Sequence, residues 1–241
     1  MKILVVKDYE EMSKVAAEEF EKIIKGKPSA VLGLATGSTP VGMYKKLIEK
    51  NKNGLDFSGL TTFNLDEYIG LEEDNVQSYH YFMNDNFFNY VNINKDNIHI
   101  PKGNGEDPYK DAMEYEKMLE NSGGIDIQVL GIGNNGHIAF NEPDENLNLS
   151  TSIINLTQST IEANSRFFSS MEEVPKKAIS MGMNSIFKAK KIILLASGEN
   201  KHKAIKFISQ SKYISTEVPA SILHLHSDVT LIVDEKAYNG K

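Results

Sequence analysis

Between Gly131 and Pro143 the chain reads GIGNNGHIAFNEP, with His137 and Glu142 five residues apart. An imidazole titrates near neutral pH, so it moves protons well when a carboxylate orients it. The same pair also fits a buried, satisfied histidine with Glu142 at the surface, and only folded geometry separates the two readings. The first six residues spell G-x-G-x-x-G after the apolar run IDIQVL, which is how a dinucleotide-binding turn begins. That fingerprint needs its glycines to open a helix and an acid about 20 residues further on. Here Asn141 and Pro143 oppose a long helix, and NLNLSTSIINL offers no such acid. The glycines are therefore read as backbone for a tight loop, and no dinucleotide cofactor is expected.

Other stretches carry groups of chemical interest. After SAVLGLA comes TGSTP, then the helical VGMYKKLIEK. Thr39 suits a helix N-cap and Pro40 a first helical position, so one reading is a well-capped helix. The other is an anion cradle, in which Thr36, Gly37, Ser38 and Thr39 present hydroxyls and free N–H groups at a positive helix end. After TTFNL comes Asp66, followed by Glu67, and the alternation of a strand admits only one of these carboxylates to a site. An aspartate in such a place caps a turn more often than it acts as a base, unless a second ionisable group converges on it. Lys201, in GENK after KIILLAS, works against a helix dipole unless an anion sits nearby. Arg166, in EANSRFF, is the only arginine of the chain, and its fork suits a phosphate monoester as well as an ordinary surface role. His224 and His226 are expected on one strand face, but nothing at ligand spacing joins them and HExxH is absent, so no metal is expected.

The whole chain limits what these groups can serve. It has 241 residues, 40% of them hydrophobic, enough for one large domain. Its 33 acidic and 26 basic residues give a formal charge of -7, with no basic run to track a nucleic acid backbone. The absence of cysteine removes disulfides, thiolate nucleophiles and Cys-ligated zinc. The start, MKILVVKDYEEM, is too short an apolar run for a signal peptide, and no stretch approaches the roughly 18 apolar residues of a membrane span. A soluble cytoplasmic protein is expected, without membrane or nucleic acid partners; monomer and homo-oligomer both fit.

The elements that must position these groups alternate between short apolar runs and helical patterns, which predicts an α/β fold with a mostly parallel sheet covered by helices on both faces. Strands are expected at KILVV, SAVLGLA, TTFNL, IDIQVLGI, KIILLAS and DVTLIVD. The segment YEEMSKVAAEEFEKIIK predicts a helix with Met12, Val15, Ala16, Phe20, Ile23 and Ile24 on one face. In such a sheet ligands bind beyond the carboxyl ends of the strands, which is where Thr36–Thr39, Asp66, His137 and Lys201 fall.

Taken in order and spacing, LATGSTP, TTFNLDEYIGL, GIGNNGHIAFNEP, ANSRFF, GENK and VPASILHLH resemble the glucosamine-6-phosphate deaminase (glucosamine-6-phosphate isomerase) family. The resemblance runs from the second strand nearly to the end of the chain. It implies a Rossmann-like fold and conversion of D-glucosamine 6-phosphate and water to D-fructose 6-phosphate and ammonia, in amino sugar catabolism and without a cofactor. It further implies that His137 assists ring opening with Glu142 as its partner, that Asp66 shuttles a proton between C2 and C1, and that the TGST turn, Arg166 and Lys201 hold the phosphate. Many members have Asp where this chain has Asn135. Asn135 is kept in the site as a hydrogen-bonding orienter of the imidazole, and charge stabilisation of the imidazolium falls to Glu142. A lid is expected over about 152–171.

The other readings are a galactosamine-6-phosphate deaminase, a 6-phosphogluconolactonase, whose loop usually reads GHTASLFP and which needs no C2 base, and a non-catalytic sugar-phosphate sensor of the same fold. Allosteric members of the resembled family hold an effector phosphate with Arg and Lys at positions occupied here by Ser152 and Ile154, so non-allosteric behaviour is expected.

Overall fold

The computed structural model describes residues 1–165 and 168–241, and of Ser159 and Ala163 the backbone alone. Its strands are β1 (Lys2–Val6), β2 (Val31–Leu34), β3 (Thr61–Asn64), β4 (Asp66–Tyr68), β5 (Ile98–His99), β6 (Ile127–Gly131), β7 (Ser152–Asn155), β8 (Lys177–Ser180), β9 (Ile192–Ala196) and β10 (Val229–Asp234). Its α-helices are α1 (Tyr9–Gly26), α2 (Ser38–Lys52), α3 (Tyr79–Asn86), α4 (Pro108–Asn121), α5 (Gln158–Asn164), α6 (Met183–Phe187), α7 (His202–Gln210) and α8 (Glu235–Asn239). All six apolar runs expected as strands are strands.

Seven strands form one parallel sheet in the order β1-β10-β9-β6-β2-β3-β5, with helices on both faces. Strands β2, β6, β9 and β10 are buried almost throughout, as continuous Val/Ile/Leu runs require when both faces are covered. Helix α1 begins at Asp8, whose side chain accepts from the Glu11 amide, and buries Met12, Ala16, Phe20 and Ile24 at helical spacing. Val15 and Ile23 flank that stripe half-buried.

A second sheet, not foreseen from the sequence, is antiparallel and three-stranded, in the order β4-β8-β7. Its strands are three or four residues long, too short for a period to declare itself. It carries Asp66, which therefore opens a new strand after a bend at Leu65. The segment expected to begin a lid at 152 also starts as strand, because β7 pairs with β8. His224 lies in a 3-10 turn (Pro219–Leu225) that His226 terminates, not on a strand. Their rings meet the carbonyls of Ile208 and Ala189, each at 2.7 Å. Among the described residues no helix is long and apolar enough to cross a membrane.

At the amino end of the sheet, opposite the functional loops, Asp126 ties the central strands together. Its buried carboxylate accepts from the Val31 amide (2.8 Å), Lys27 (2.7 Å) and Lys190 (2.7 Å). Burial alone would raise its pKa, but these donors outweigh that and hold it below the usual carboxylate range. Asp126→Ala orphans a strand amide and should cost about 2 to 3 kcal/mol in denaturant unfolding at neutral pH. The depressed pKa means the contribution is present above the unfolded carboxylate's pKa and lost as pH falls through the folded one. The gap between wild type and variant should therefore close on acidification; a gap independent of pH would show that the carboxylate's charge is not what matters.

Candidate active site

The strand order reverses between β2 and β6: from β2 the chain moves to β3 on one side, and from β6 to β9 on the other. Loops leaving neighbouring strands in opposite directions open a crevice at their carboxyl ends. The TGST turn leaves β2 there and the loop 132–143 leaves β6.

That loop opens no helix, so the glycine fingerprint is a decoy. It is folded on itself: the Gly133 amide donates to the His137 carbonyl (2.9 Å), the Gly136 amide to the Gly133 carbonyl (3.0 Å), and the Asn141 amide to the Ile138 carbonyl (3.1 Å). Gly133 is required because a Cβ there would lie 2.4 Å from the His137 ring. Ala139 sits at φ 51°, a left-handed conformation that costs energy for a residue with a Cβ. The tertiary contacts around it enforce that conformation. Asn141 Nδ2 donates to the carbonyls of Ile138 (3.1 Å) and Met181 (2.9 Å), and the Phe140 amide donates to Ser180 Oγ (3.2 Å).

The folded loop brings Asn135, His137 and Glu142 together, with Glu142 buried and not at the surface. Glu142 is buried at 8% exposure, and its Oε2 accepts from His137 Nδ1 (3.0 Å) and Asn135 Nδ2 (2.7 Å). The Asn135 Oδ1 accepts from the His137 backbone amide (3.2 Å), so Asn135 orients the histidine through its main chain and through Glu142, not by the expected bond to the ring. Thr160 of α5 donates to the other oxygen, Oε1. Burial pushes the Glu142 pKa up, but His137, Thr160 and Asn135 together bring it down to about 2. An ionised Glu142 facing Nδ1 keeps that nitrogen protonated and leaves Nε2 as the acceptor.

Asp66 is 6% exposed, and among the described residues no cation offsets its burial. Burial, then the neighbouring charge of Glu67, raises its pKa to about 8. Glu67 points the other way, as strand alternation requires, and accepts from the amides of Tyr79 (3.0 Å) and His80 (3.0 Å) at the start of α3. His80 also meets Glu67 through Nδ1 at 2.9 Å. Strand β8 links Asp66 to the histidine loop. Asp66 pairs with Ser180, which receives the Phe140 amide, while the Met181 amide donates to the Leu65 carbonyl (2.8 Å).

At the TGST turn, helix α2 starts at Ser38 with Gly37 as its N-cap at φ 88°, which only glycine adopts readily. Thr39 is thus not the N-cap, nor Pro40 the first helical residue; the helix begins two residues earlier, and no side chain caps it. Its first amides are left for a ligand or solvent. Ser38 and Thr39 line a cleft of about 370 Å³ with Tyr9, Val41 and Ser197. Thr36 hydrogen-bonds through its side chain to the Tyr79 hydroxyl, which also meets that of Tyr68. Lys201 ends a 3-10 turn (Glu199–Lys201) and immediately precedes α7. Asp234 anchors that turn by accepting from Gly198 N at 3.1 Å. Arg166 lies outside the described residues. Among the described residues no group of three His, Asp or Glu converges on a possible metal position.

Thr160 and the aromatic group of Tyr68, Tyr79 and Phe140 beside it escaped the sequence reading. The spacing T-x-x-T at 157–160 announces a helix cap and nothing more, and Thr157 does cap α5.

A family model described as glucosamine-6-phosphate isomerases/6-phosphogluconolactonase matches residues 7–232. A glucosamine-6-phosphate deaminase of Thermoanaerobacter sp. (strain X514) is 60% identical over 98% of this chain and 94% of its own. Among solved structures, a monomeric glucosamine-6-phosphate deaminase superposes with a TM-score of 0.97 at 45% identity, with both chains covered completely. The 6-phosphogluconolactonase of Trypanosoma cruzi reaches 0.78 at 22% identity over 99% of this chain and 96% of its own, a likeness of fold alone. With its functional loops at the strand reversal and this degree of likeness along its length, the chain belongs to the glucosamine-6-phosphate isomerase/6-phosphogluconolactonase family.

Proposed function

We infer that the chain is a glucosamine-6-phosphate deaminase, converting D-glucosamine 6-phosphate and water to D-fructose 6-phosphate and ammonia. The observation that carries this reading is the presence of two separate groups suited to handling protons: the His137–Glu142 pair and the buried Asp66, which no cation meets among the described residues. Lactone hydrolysis has no use for the second, whereas an aldose–ketose shift requires both.

A closed pyranose has no acidic C2 proton, so the ring must open first. The C1 hydroxyl loses a proton and the ring oxygen gains one as the C1–O5 bond breaks, and His137 Nε2 can accept the first and return the second. Asp66 then removes the C2 proton and delivers it to C1, while the carbonyl oxygen becomes the C1 hydroxyl with a proton given up by the C2 ammonium. C2 is left as an imine, water adds to it, and ammonia leaves. The amides and hydroxyls at Ser38 and Thr39, with Thr36, Gly37, Lys201 and Arg166, bind the phosphate and hold the open chain in the reactive pose. Helix α5 and the residues after it form a lid over the bound sugar. Ser152 and Ile154 offer no charge to an effector phosphate, so substrate saturation should be hyperbolic and unchanged by N-acetylglucosamine 6-phosphate; sigmoidal saturation relieved by that compound would count against this.

Asp66 works as the carboxylate, so kcat/KM should rise with pH along a limb at about 8. The substrate ammonium at C2 favours the ionised form, which should place the corresponding limb of kcat at lower pH. The raised pKa also sets a stability trend. The folded state keeps a proton that the unfolded chain loses from about pH 4 upward, so stability is lost as pH rises toward about 8. Asp66→Asn should therefore abolish ammonia release and exchange of the C2 hydrogen, yet melt at a higher temperature than wild type at pH 8. Normal exchange in the variant would remove Asp66 from the role.

A further inference from the structure

Thr160 lies in the first turn of α5, 8% exposed. Its hydroxyl donates to Glu142 Oε1 at 2.5 Å and accepts from the hydroxyl of Thr157 at 3.1 Å, so its proton is committed to the carboxylate. The far end of the same helix is also tied to the site, since Asn164 Nδ2 donates to the Tyr68 hydroxyl at 2.8 Å. Between these ends, Ile161 packs against the small apolar cluster around Tyr68 and Phe140.

The arrangement matters because of how a glutamate moves. The last torsion of its side chain is broad and soft, so a carboxylate gripped at one oxygen swings readily. His137 and Asn135 both hold Oε2, and among the described residues Thr160 alone holds Oε1. Two gripped oxygens fix the carboxylate plane, and with it the direction in which Nδ1–H must point. The imidazole plane then follows, and so does the position of Nε2, the atom that must meet the sugar. A hydroxyl-to-carboxylate bond in such a chain is charge-assisted and strengthened by the donor behind it.

We propose that Thr160 is a positioning residue for ring opening, its hydroxyl locking the Glu142 carboxylate so that seating of α5 and alignment of His137 become one event. The proposal rests on the deaminase reading. It gives α5 a task beyond covering the substrate: with the helix lifted, Glu142 keeps only the two donors at Oε2, and the imidazole loses its fixed aim while the site is open to water. Proton transfer at C2, the task of Asp66, does not depend on this bond.

The test compares two substrates. One is glucosamine 6-phosphate, read by ammonia release. The other is its 4,5-dideoxy analogue, which can close neither a pyranose nor a furanose ring, read by exchange of the C2 hydrogen with solvent. Thr160→Val keeps the side-chain shape without the hydroxyl. It should lower turnover of the closed sugar on the order of tenfold, the scale of one hydrogen bond to a charged group, while exchange in the analogue stays near the wild-type rate. Thr160→Ser should restore the ratio of the two rates. The folded fraction cancels from that ratio, so Thr160→Ala serves as a second variant if the valine form is poorly folded. Equal losses on both substrates would reduce Thr160 to a packing residue, and an unchanged ratio would overturn the proposal. Wild-type protein that releases no ammonia would instead strike at the deaminase assignment itself.

Discussion

A carboxylate taken out of water must find donors, and Glu142 is the point on which the histidine loop depends. Burial of an unpaired charge is prohibitive, whereas burial with three donors is tolerated and even lowers the pKa, here to about 2. Those donors come from Asn135, His137 and Thr160, the last in a different element. The loop can deliver the first two only by doubling back within eight residues, which forces Ala139 into its left-handed conformation. Asn141 and Ser180 are what keep that fold closed against its strain. The F-N-E sequence thus divides its tasks: Phe140 joins the aromatic wall, Asn141 pins the loop, and Glu142 aims the histidine.

The two sheets explain why the second acid/base group arrives where it does. The parallel sheet supplies the crevice, but a strand continuing straight from β3 would carry Asp66 past it. The bend at Leu65 and the antiparallel pairing of β4 with β8 set Asp66 beside Ser180, the residue that also receives the histidine loop. The same functional group is then driven to opposite states. Glu142 is surrounded by donors and stays charged; Asp66, buried beside the charge of Glu67, holds its proton up to about 8.

The parallel sheet was legible because its strands are continuous apolar runs that end in glycine- or hydroxyl-bearing turns. The roles of Asp66 and Glu67 were half legible: alternation predicted that they would part, without saying where either would go. The antiparallel sheet was not legible, since KAIS and SIIN carry too few residues to show a period. The start of α2 was misplaced by two residues because Thr39-Pro40 has the chemistry of a cap, yet the positive φ of Gly37 opens the helix earlier. Asn135 meets Glu142 and the His137 main chain, not the ring as expected: an amide two residues before a histidine reaches the backbone more easily than the ring. Thr160 could not be found from sequence, because its contact joins elements eighteen residues apart through a side chain that also fits an ordinary helix cap.

Glu67 shows how a structural group reaches into the chemistry without entering the site. It has a complete set of partners of its own, with the Tyr68, Tyr79 and His80 amides and the His80 ring all within 3.0 Å. Those bonds fasten the start of α3 and carry Tyr79 to the aromatic wall beside Asp66. Its negative charge, one residue from Asp66, adds to burial in holding the Asp66 proton on. In the reaction we propose, this makes Asp66 a stronger base for abstraction at C2 than an aspartate would otherwise be. The cost is that the free enzyme keeps this base largely protonated at neutral pH. In that proposed reaction, a substrate whose C2 amine is an ammonium brings a compensating charge to Asp66. Binding and activation of the base are then coupled through charge, and a sugar phosphate of the same shape without that amine would gain the phosphate contacts without switching the base on.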